Sequence, residues 1–337
     1  MAHSPLIPVD ELAGLLATPE TDSPGRPVVL DVRYRMSGPS GRREFERAHI
    51  PGATYVDLNT ELATIRPDGA GGRHPLPTAG VFTAAMRSAG VTMSRQVVAY
   101  DDWASLSASR LWWMLRHLGF RDVRVLDGGL SSWIAAGRPT ESGPCTPGFG
   151  DFSPSVPGVG RILEAADAKR YAEQHLLLDA RPADRFHGEN ETIDPVAGHI
   201  PGAVSSPALA NVDSSGRFLP AHELAGRLQR PKTVDDPPEA TVAHGATDNP
   251  DGQTACDSRT SSGARTSSGA RTTGGARTAD GPRTTGGSRT VGTYCGSGVQ
   301  ATHLALALSV AGICDDADVY IGSWSDWITD PARPVEL

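Results

Sequence analysis

The sequence contains few cysteines and few aromatic residues, and it lacks several patterns that define protein classes. Its 4 cysteines follow no regular spacing in 337 residues, which suits a reducing cytoplasm better than a disulfide scaffold. No metal-ligand spacing relates the cysteines to the histidines, and no glycine-rich nucleotide loop follows an early strand. We therefore expect neither a metal nor another cofactor. The longest strongly apolar stretch, Leu304 to Cys314, is too short to span a bilayer.

The net charge and the N-terminal residues argue against two further classes, nucleic-acid-binding and secreted proteins. A formal net charge of -8 and a pI near 5.7 give no reason to expect nucleic-acid binding. Residues 1–16 lack a basic segment followed by an apolar one, so no secretory signal is predicted. We expect a soluble cytoplasmic protein, long enough for two domains, that binds neither nucleic acid nor a membrane.

Two motifs occur twice, which indicates a duplicated domain. Leu-Asp-x-Arg begins at Leu30 and again at Leu178, 148 residues later. His-Ile-Pro-Gly-Ala begins at His49 and again at His199, 150 residues later. A repeat of this length is a second copy of a whole domain and not the unit of a solenoid.

Strands alternate with helices in both copies, which predicts an α/β fold with mainly parallel sheets covered on both faces. A polar loop is expected between the first Leu-Asp-x-Arg and the first His-Ile-Pro-Gly-Ala. The predicted strands cover residues 28–32, 96–100, 123–126 and 290–294, with one more at Leu176. The predicted helices cover residues 8–16, 80–89, 107–118, 165–173, 221–229 and 302–311.

The second copy contains an insert. Trp133 and Trp327 are 194 residues apart, so the second copy has gained 44 residues relative to the offset of 150. From Arg259 to Thr290, Arg-Thr recurs every six residues among Ser, Gly and Ala, and a stretch rich in Pro and Asp precedes it from Pro231. Together they predict a disordered, low-complexity insert at 231–289. We assign residues 1–138 to an N-terminal domain, 139–160 to a linker and 161–337 to a C-terminal domain.

The most informative stretch is Thr293 to Ala301, which reads as a strand, a tight turn and a helix. Cys295 is the first residue of the turn, and Gly296, Ser297 and Gly298 follow it. Such a junction directs amide N–H groups and the positive end of the helix dipole into the turn. This setting favours the thiolate, which is the reactive form of cysteine. A buried, inert cysteine is the weaker alternative, because Gly-Ser-Gly is poor core material.

Two comparisons limit the chemistry of this turn. A cysteine phosphatase needs Cys-x5-Arg to bind phosphate bidentately, whereas the sixth residue after Cys295 is Ala301. The offset of 194 aligns Cys295 with Asp101 in the first copy. Because a carboxylate cannot carry sulfur, we expect the first copy to be catalytically inactive and to form one wall of the active-site cleft.

Cys295-Gly-Ser-Gly-Val resembles the active-site loop of the rhodanese family, in particular its 3-mercaptopyruvate sulfurtransferase branch. The resemblance covers the whole chain except the insert and the tip of the linker. It implies two tandem rhodanese-like domains, each a mainly parallel sheet flanked by helices, of which the second is catalytic. It also implies that Cys295 takes sulfur from a donor, carries it as a persulfide and passes it to a thiol or to cyanide.

The same resemblance implies roles for other residues. Ser297 is expected to handle protons with His74 and with an acid from the first copy, for which Asp57 is the candidate and Asn59 the alternative position. Arg185 is expected to bind an anionic donor through its planar guanidinium. The loop residues expected to bind substrate are Gly296, Gly298, Val299, Gln300 and Ala301. A solvated loop histidine and a surface ion pair are the alternative interpretations of His74 and Arg185.

The choice of donor depends on departures from the family pattern. Members that prefer thiosulfate usually carry two basic residues after the cysteine, and Gly296 and Ser297 favour 3-mercaptopyruvate instead. Mercaptopyruvate enzymes usually have a second arginine within the stretch 189–198, which contains none here. Arg73 and Arg110 are the possible substitutes. Thiosulfate remains the alternative donor, and a non-catalytic sulfur-relay or regulatory protein is the alternative function.

Four residues that look reactive are expected to be structural. Asp31, Asp179, His49 and His199 belong to motifs that occur in the inactive copy as well as in the active one. The two histidines are most simply turn residues that precede a Pro-Gly bend.

Overall fold

A computed structural model describes residues 4–17, 25–155, 158–229 and 290–337 of the chain. These residues form two β-sheets, one from each half of the repeat. The insert predicted at 231–289 lies outside the described residues. Within the described ranges, no helix is long and apolar enough to cross a membrane.

The first sheet has five strands. They are β1 (Leu6–Ile7), β2 (Val28–Asp31), β3 (Thr54–Tyr55), β4 (Val97–Tyr100) and β5 (Val123–Leu126). The helices of this half are α1 (Val9–Leu16), α2 (Gly41–Arg47), α3 (Ala79–Ser88), α4 (Leu106–His117) and α5 (Gly129–Ala135). The strand order is β1-β5-β4-β2-β3, and every pairing is parallel.

The second sheet has four strands and repeats this arrangement. They are β6 (Leu176–Asp179), β7 (Val204–Ser205), β8 (Val291–Tyr294) and β9 (Asp318–Val319). The helices are α6 (Ala165–Gln174), α7 (Ala183–Phe186), α8 (Ala221–Gln229), α9 (Val299–Val310) and α10 (Ser323–Trp327), with a 3-10 turn at Ala208–Asn211. The order is β7-β6-β8-β9, again with parallel pairings.

The two sheets match in register around their central strands. Val28 of β2 lies beside Val97 of β4, and Leu176 of β6 lies beside Val291 of β8. Parallel strands place their carboxyl ends at one edge of a sheet, so the loops after β4 and β8 occupy equivalent positions. The predicted α/β fold of two tandem domains is confirmed.

Two local expectations were wrong. The helix expected to begin at Thr302 begins at Val299, because Gly298 takes a left-handed conformation at φ 80° and the turn closes directly into α9. The segment after β2, expected to be a polar loop, contains α2. Phe45 is the one buried side chain of α2, which is too weak an apolar pattern to predict a helix.

The Leu-Asp-x-Arg motif forms a buried ion pair in each half. Arg181 Nη2 lies 2.6 Å from Asp179 Oδ2, and both side chains are completely buried. Arg181 Nη2 also donates to the carbonyl of Gly198 at 2.7 Å, which ties the strand end to the turn that begins at the next residue. Asp31 and Arg33 repeat the pair in the first half. The motif holds the fold together in both halves.

The two repeated histidines are packed rings. His199 stacks on Phe186 with 3.7 Å between ring centroids, and its Nδ1 lies 2.9 Å from the Phe186 carbonyl oxygen. His49 stacks on Phe45 in the same way, at 3.9 Å, and its Nδ1 lies 2.7 Å from the Phe45 carbonyl oxygen. Each Nδ1 must therefore donate its proton to a carbonyl, which leaves these rings with a structural role.

Helices α4 and α9 pack against each other and join the two halves. Leu111 and Leu115 of α4 and Leu304 and Leu308 of α9 are buried in one apolar cluster that draws on both sheets. Because each helix starts just after the central strand of its own sheet, this contact brings the two equivalent loops to one interface.

Asp179→Asn should lower the free energy of unfolding by about 3 to 5 kcal/mol, because it leaves the Arg181 charge buried without its main partner. Chemical denaturation at neutral pH measures the effect. Asp10→Asn, which breaks the exposed pair with Arg138, is the control and should leave stability nearly unchanged. Equal stability of the two variants would contradict this prediction.

Candidate active site

Cys295 lies at the end of β8 in the turn that leads into α9. Its Sγ accepts hydrogen bonds from the Gly298 amide at 3.1 Å and from the Ser297 amide at 3.4 Å. A Cβ at position 298 would lie 2.4 Å from the carbonyl oxygen of Ile321, so only glycine fits there. The turn holds the buried sulfur among amide N–H groups, as an anion-binding junction would.

The loop after β4 is the equivalent turn of the first copy, and its first residue is Asp101 in place of a cysteine. Asp101 Oδ1 accepts from the amides of Trp103 and Ser105 at 2.8 and 2.9 Å. Its Oδ2 accepts from the amides of Ser107 and Ala108, also at 2.8 and 2.9 Å. The first copy therefore satisfies its anion-binding turn with its own side chain.

The second copy presents an equivalent set of amides. Helix α9 starts 193 residues after α4, whereas Cys295 lies 194 residues after Asp101. The turn between Asp101 and α4 is therefore one residue longer than the turn between Cys295 and α9, and equivalent residues of the two helices are 193 positions apart. Ser297 and Gly298, which donate to Sγ, correspond to the donors to Asp101 Oδ1. Gln300 and Ala301 correspond to the donors to Oδ2. Their amides lie in the first turn of α9, together with that of Val299, and have no partner within the helix.

Ser323 belongs to the site although the sequence did not predict it. Its Oγ accepts from the Cys295 amide at 3.0 Å and donates to the Tyr320 carbonyl at 2.8 Å. Its backbone has a φ of 55°, which is unusual for serine, and Gly129 has the same φ at the equivalent position of the first half. The repeat could have revealed this position in the sequence, because Ser323 of the second copy replaces Gly129 of the first, and glycine adopts a positive φ more readily than serine.

Ser297 and His74 come together from opposite halves of the chain. His74 Nδ1 lies 2.9 Å from Ser297 Oγ, and its Nε2 lies 3.4 Å from the hydroxyl of Tyr34. Burial, and then the positive charges of Arg110 and Arg73, lower the pKa of His74 to about 4. The imidazole is therefore neutral at pH 7 and can exchange a proton with the serine.

Asp57 makes no hydrogen bond to His74 in the part of the chain that the structure describes. Its Oδ1 accepts from the amides of Asn59 and Thr60 at 2.9 and 3.1 Å, so the carboxylate caps the turn after β3. Tyr34, and not Asp57, lies beside Nε2 of His74. A role for Asp57 in proton handling stays a prediction.

Arg185 and Arg73 lie side by side at the loop. A Cβ at Gly296 would lie 2.9 Å from Arg73 Nη2 and 3.6 Å from Arg185 Nη1, and neither nitrogen has a hydrogen-bond partner among the described residues. Behind them, Asp194 accepts from Arg185 Nη2 at 2.9 Å and also from Arg73 Nη1. Glu191 accepts from Arg185 Nε at 2.9 Å. The two acids hold the far side of the arginines, and the near side faces the cysteine loop.

Arg110 has a different environment from Arg73. It is completely buried, and it donates to the carbonyls of Gly298 at 3.0 Å and His74 at 2.8 Å. Nη1 and Nη2 are bound to backbone carbonyls, whereas the buried Nε has no hydrogen-bond partner among the described residues. None of these nitrogens is exposed to a donor. Over the ranges described, no cluster of His, Cys, Asp and Glu side chains could hold a metal ion.

Known proteins resemble this chain over nearly its full length. The Rhodanese-like domain family matches residues 9–136. A Pseudomonas aeruginosa protein named "Probable 3-mercaptopyruvate sulfurtransferase" is 36% identical over 99% of both chains. A Mycobacterium tuberculosis protein named "Putative thiosulfate sulfurtransferase SseB" is 34% identical over 98% of this chain and 96% of its own. In fold, the structure of 3-mercaptopyruvate sulfurtransferase from Leishmania major matches with a TM-score of 0.71 at 24% identity, covering 98% of this chain and 76% of that one.

The low pKa of His74 should make stability depend on pH. The folded imidazole takes up a proton near pH 4 and the unfolded one near 6.5, so the unfolded state binds more protons between these values. Stability is therefore lost as the pH falls through this window. His74→Gln should remove about 2 kcal/mol of the loss between pH 7 and pH 5, measured by urea denaturation. The exposed His222→Gln serves as control, and an unchanged pH dependence in His74→Gln would contradict the argument.

Proposed function

The chain belongs to the rhodanese-like family of sulfurtransferases, and we propose that it takes sulfur from 3-mercaptopyruvate and carries it as a persulfide on Cys295. Family membership rests on the 36% identity that extends over 99% of the chain. The observation that supports the proposed mechanism is the sulfur of Cys295 held by the amides of Ser297 and Gly298.

The first half-reaction transfers the sulfur atom of the donor from its carbon to the sulfur of Cys295. The Cys295 thiolate attacks the sulfur of the donor, an S–S bond forms, and the C–S bond breaks. The electron pair of that bond leaves on pyruvate as its enolate. The proton of the donor thiol must then reach the methyl carbon of pyruvate, and Ser297 with the neutral His74 offers a route for it.

The second half-reaction returns the cysteine to its starting state. The outer sulfur of the persulfide is an anion, and we assign it to the amides of Gln300 and Ala301, whose equivalents hold Asp101 Oδ2 in the first copy. A thiol or cyanide then attacks this outer sulfur, the S–S bond breaks, and Cys295 departs as the thiolate.

Two features support 3-mercaptopyruvate as the donor. Its reaction requires a proton to move to carbon, whereas sulfur transfer from thiosulfate releases sulfite without that step. The contact between Ser297 and His74 therefore fits mercaptopyruvate better. Basic side chains directly after the cysteine would also be crowded, because Arg73 lies against Gly296.

We assign the donor carboxylate to Arg73 and Arg185. The free Nη2 of Arg73 and Nη1 of Arg185 lie beside Gly296, and two guanidinium groups match the paired oxygens of a carboxylate. Arg73 comes from the first half and would replace the arginine missing from 189–198. Asp194, which bridges both guanidinium groups, would keep them in place.

Thiosulfate is the alternative donor, because the same arginines could hold its oxygens and because the Mycobacterium tuberculosis relative is named as a thiosulfate sulfurtransferase. The physiological acceptor, a thiol or cyanide, stays a prediction. A cytoplasmic location is supported by the free thiols of Cys145, Cys295 and Cys314.

Cys295→Ser should reduce thiocyanate formation from 3-mercaptopyruvate and cyanide by at least about 10³-fold, because a serine cannot hold a persulfide. Cys145→Ser, outside the site, is the control. Near-normal turnover in Cys295→Ser would rule out the mechanism.

The same assay separates the alternatives in the wild-type protein. We expect a higher kcat/KM for 3-mercaptopyruvate than for thiosulfate. The opposite order would overturn the donor assignment. If folded protein with a reduced Cys295 formed no thiocyanate from either donor, that result would favour a non-catalytic sulfur-relay or regulatory protein.

Arg73→Met should raise KM for 3-mercaptopyruvate about 10- to 100-fold, the amount expected for loss of a charged hydrogen bond. The discharge of preformed persulfide to cyanide should be unchanged, because cyanide has no carboxylate to bind. The exposed Arg66→Met tests for a general effect of charge in this region. An unchanged KM in Arg73→Met would show that the donor carboxylate binds elsewhere.

A further inference from the structure

A buried positive charge from the first half lies against the catalytic loop. The Arg110 guanidinium has no exposed surface, and no carboxylate pairs with it among the described residues. Its hydrogen bonds go to the carbonyls of Gly298, His74 and Leu62, at 3.0, 2.8 and 3.3 Å. Carbonyl oxygens solvate a cation but do not neutralise it, so a buried arginine in this position calls for an anion nearby.

Cys295 is the group that can supply the anion. The carbonyl of Gly298 accepts from Arg110 Nη1, and the amide of the same glycine donates to Cys295 Sγ at 3.1 Å. The guanidinium and the sulfur therefore lie on two sides of one residue. Burial lowers the pKa of Arg110 to about 10, and the negative charge of the Cys295 thiolate opposes this fall.

We propose that Arg110 is the counter-ion of the Cys295 thiolate and of its persulfide, so that the catalytically inactive half activates the cysteine of the other half. Only the persulfide part rests on the proposed function. Arg110 does not touch the reacting atoms and acts as a positioning residue, through its charge and through the Gly298 carbonyl. That carbonyl shares a peptide unit with the Val299 N–H, so the hydrogen bond from Arg110 makes this amide a stronger donor.

The equivalent position in the other half supports this assignment. The helix offset of 193 aligns Arg110 on α4 with His303 on α9. His303 is completely buried beside Ala104, in the loop that contains Asp101, and burial lowers its pKa to about 3. A neutral ring thus faces the turn whose carboxylate already has four amide donors. A fixed positive charge faces the turn that contains the cysteine.

The other charged groups around Cys295 already have partners or are neutral. Arg73 and Arg185 are paired with Asp194 and Glu191. His74, the remaining titratable neighbour, is neutral above about pH 4. Among the described residues that surround the turn, Arg110 is therefore the cation whose charge no acid offsets.

The test measures how fast iodoacetamide alkylates Cys295 as a function of pH, with the modified site identified by mass spectrometry. Arg110→Met should raise the midpoint of this profile by about one pH unit or more, and Arg110→Lys, which keeps the charge, by clearly less. Alkylation needs no sulfur donor, so its outcome is independent of the proposed sulfur transfer. Equal midpoints in Arg110→Met and the wild type would overturn the proposal.

Turnover gives a second readout that a merely structural role would not produce. Arg110→Met should lower kcat near pH 7 and should recover part of this loss as the pH rises and more of the thiolate forms. A loss that is equal at all pH values would overturn the proposal. Arg116→Met is the matched control on the same helix, where the guanidinium lies 4.7 Å from the centre of the Trp112 ring. This control should leave the midpoint unchanged.

A further comparison decides the question if Arg110→Met does not fold. Cys295→Asp places at this position the residue type found at Asp101, and it restores an anion beside Arg110. It should melt at a higher temperature than Cys295→Ser at pH 7, where the serine variant leaves the guanidinium without a counter-ion. A lower melting temperature for Cys295→Asp would overturn the proposal.

Discussion

The packing of α4 on α9 determines where the groups of the site lie. Each helix begins directly after the central strand of its sheet, so this contact brings both loops and both helix starts to one interface. It places Arg110 against Gly298 and brings His74 to Ser297. The candidate active site therefore takes residues from both halves, although Cys295 lies in the second.

Duplication has given one anion-binding turn two different uses. In the first half Asp101 fills the turn, and each of its two oxygens takes two amide hydrogen bonds. In the second half Cys295 Sγ takes the place of one oxygen, and the equivalents of the other two donors remain at the start of α9. The first copy thus offers an internal template for where the two sulfurs of the proposed persulfide would lie.

The sequence allowed prediction of features that depend on local chemistry or on the repeat. These include the parallel sheets and the turn around Cys295. The contact of Ser297 with His74 came from the family resemblance, because the residues are 223 positions apart. Ser323 was not predicted, and Arg73 was only one of two possible substitutes for the second arginine. They depend on side-chain directions and on a strained backbone, for which a composition or a period gives no signal.

The register of the central strands has a consequence for how the chain can change length. Val28 and Val97 pair across 69 positions, whereas Leu176 and Val291 pair across 115. Closing the longer connection costs about 0.5 kcal/mol more, since closure entropy grows with the logarithm of loop length. Cys295 is positioned by β8, by the neighbouring strands β6 and β9, and by α9. The positions of these elements do not depend on the length of the connection between β6 and β8. The connection between β6 and β8 is therefore a place where residues can be inserted without moving Cys295.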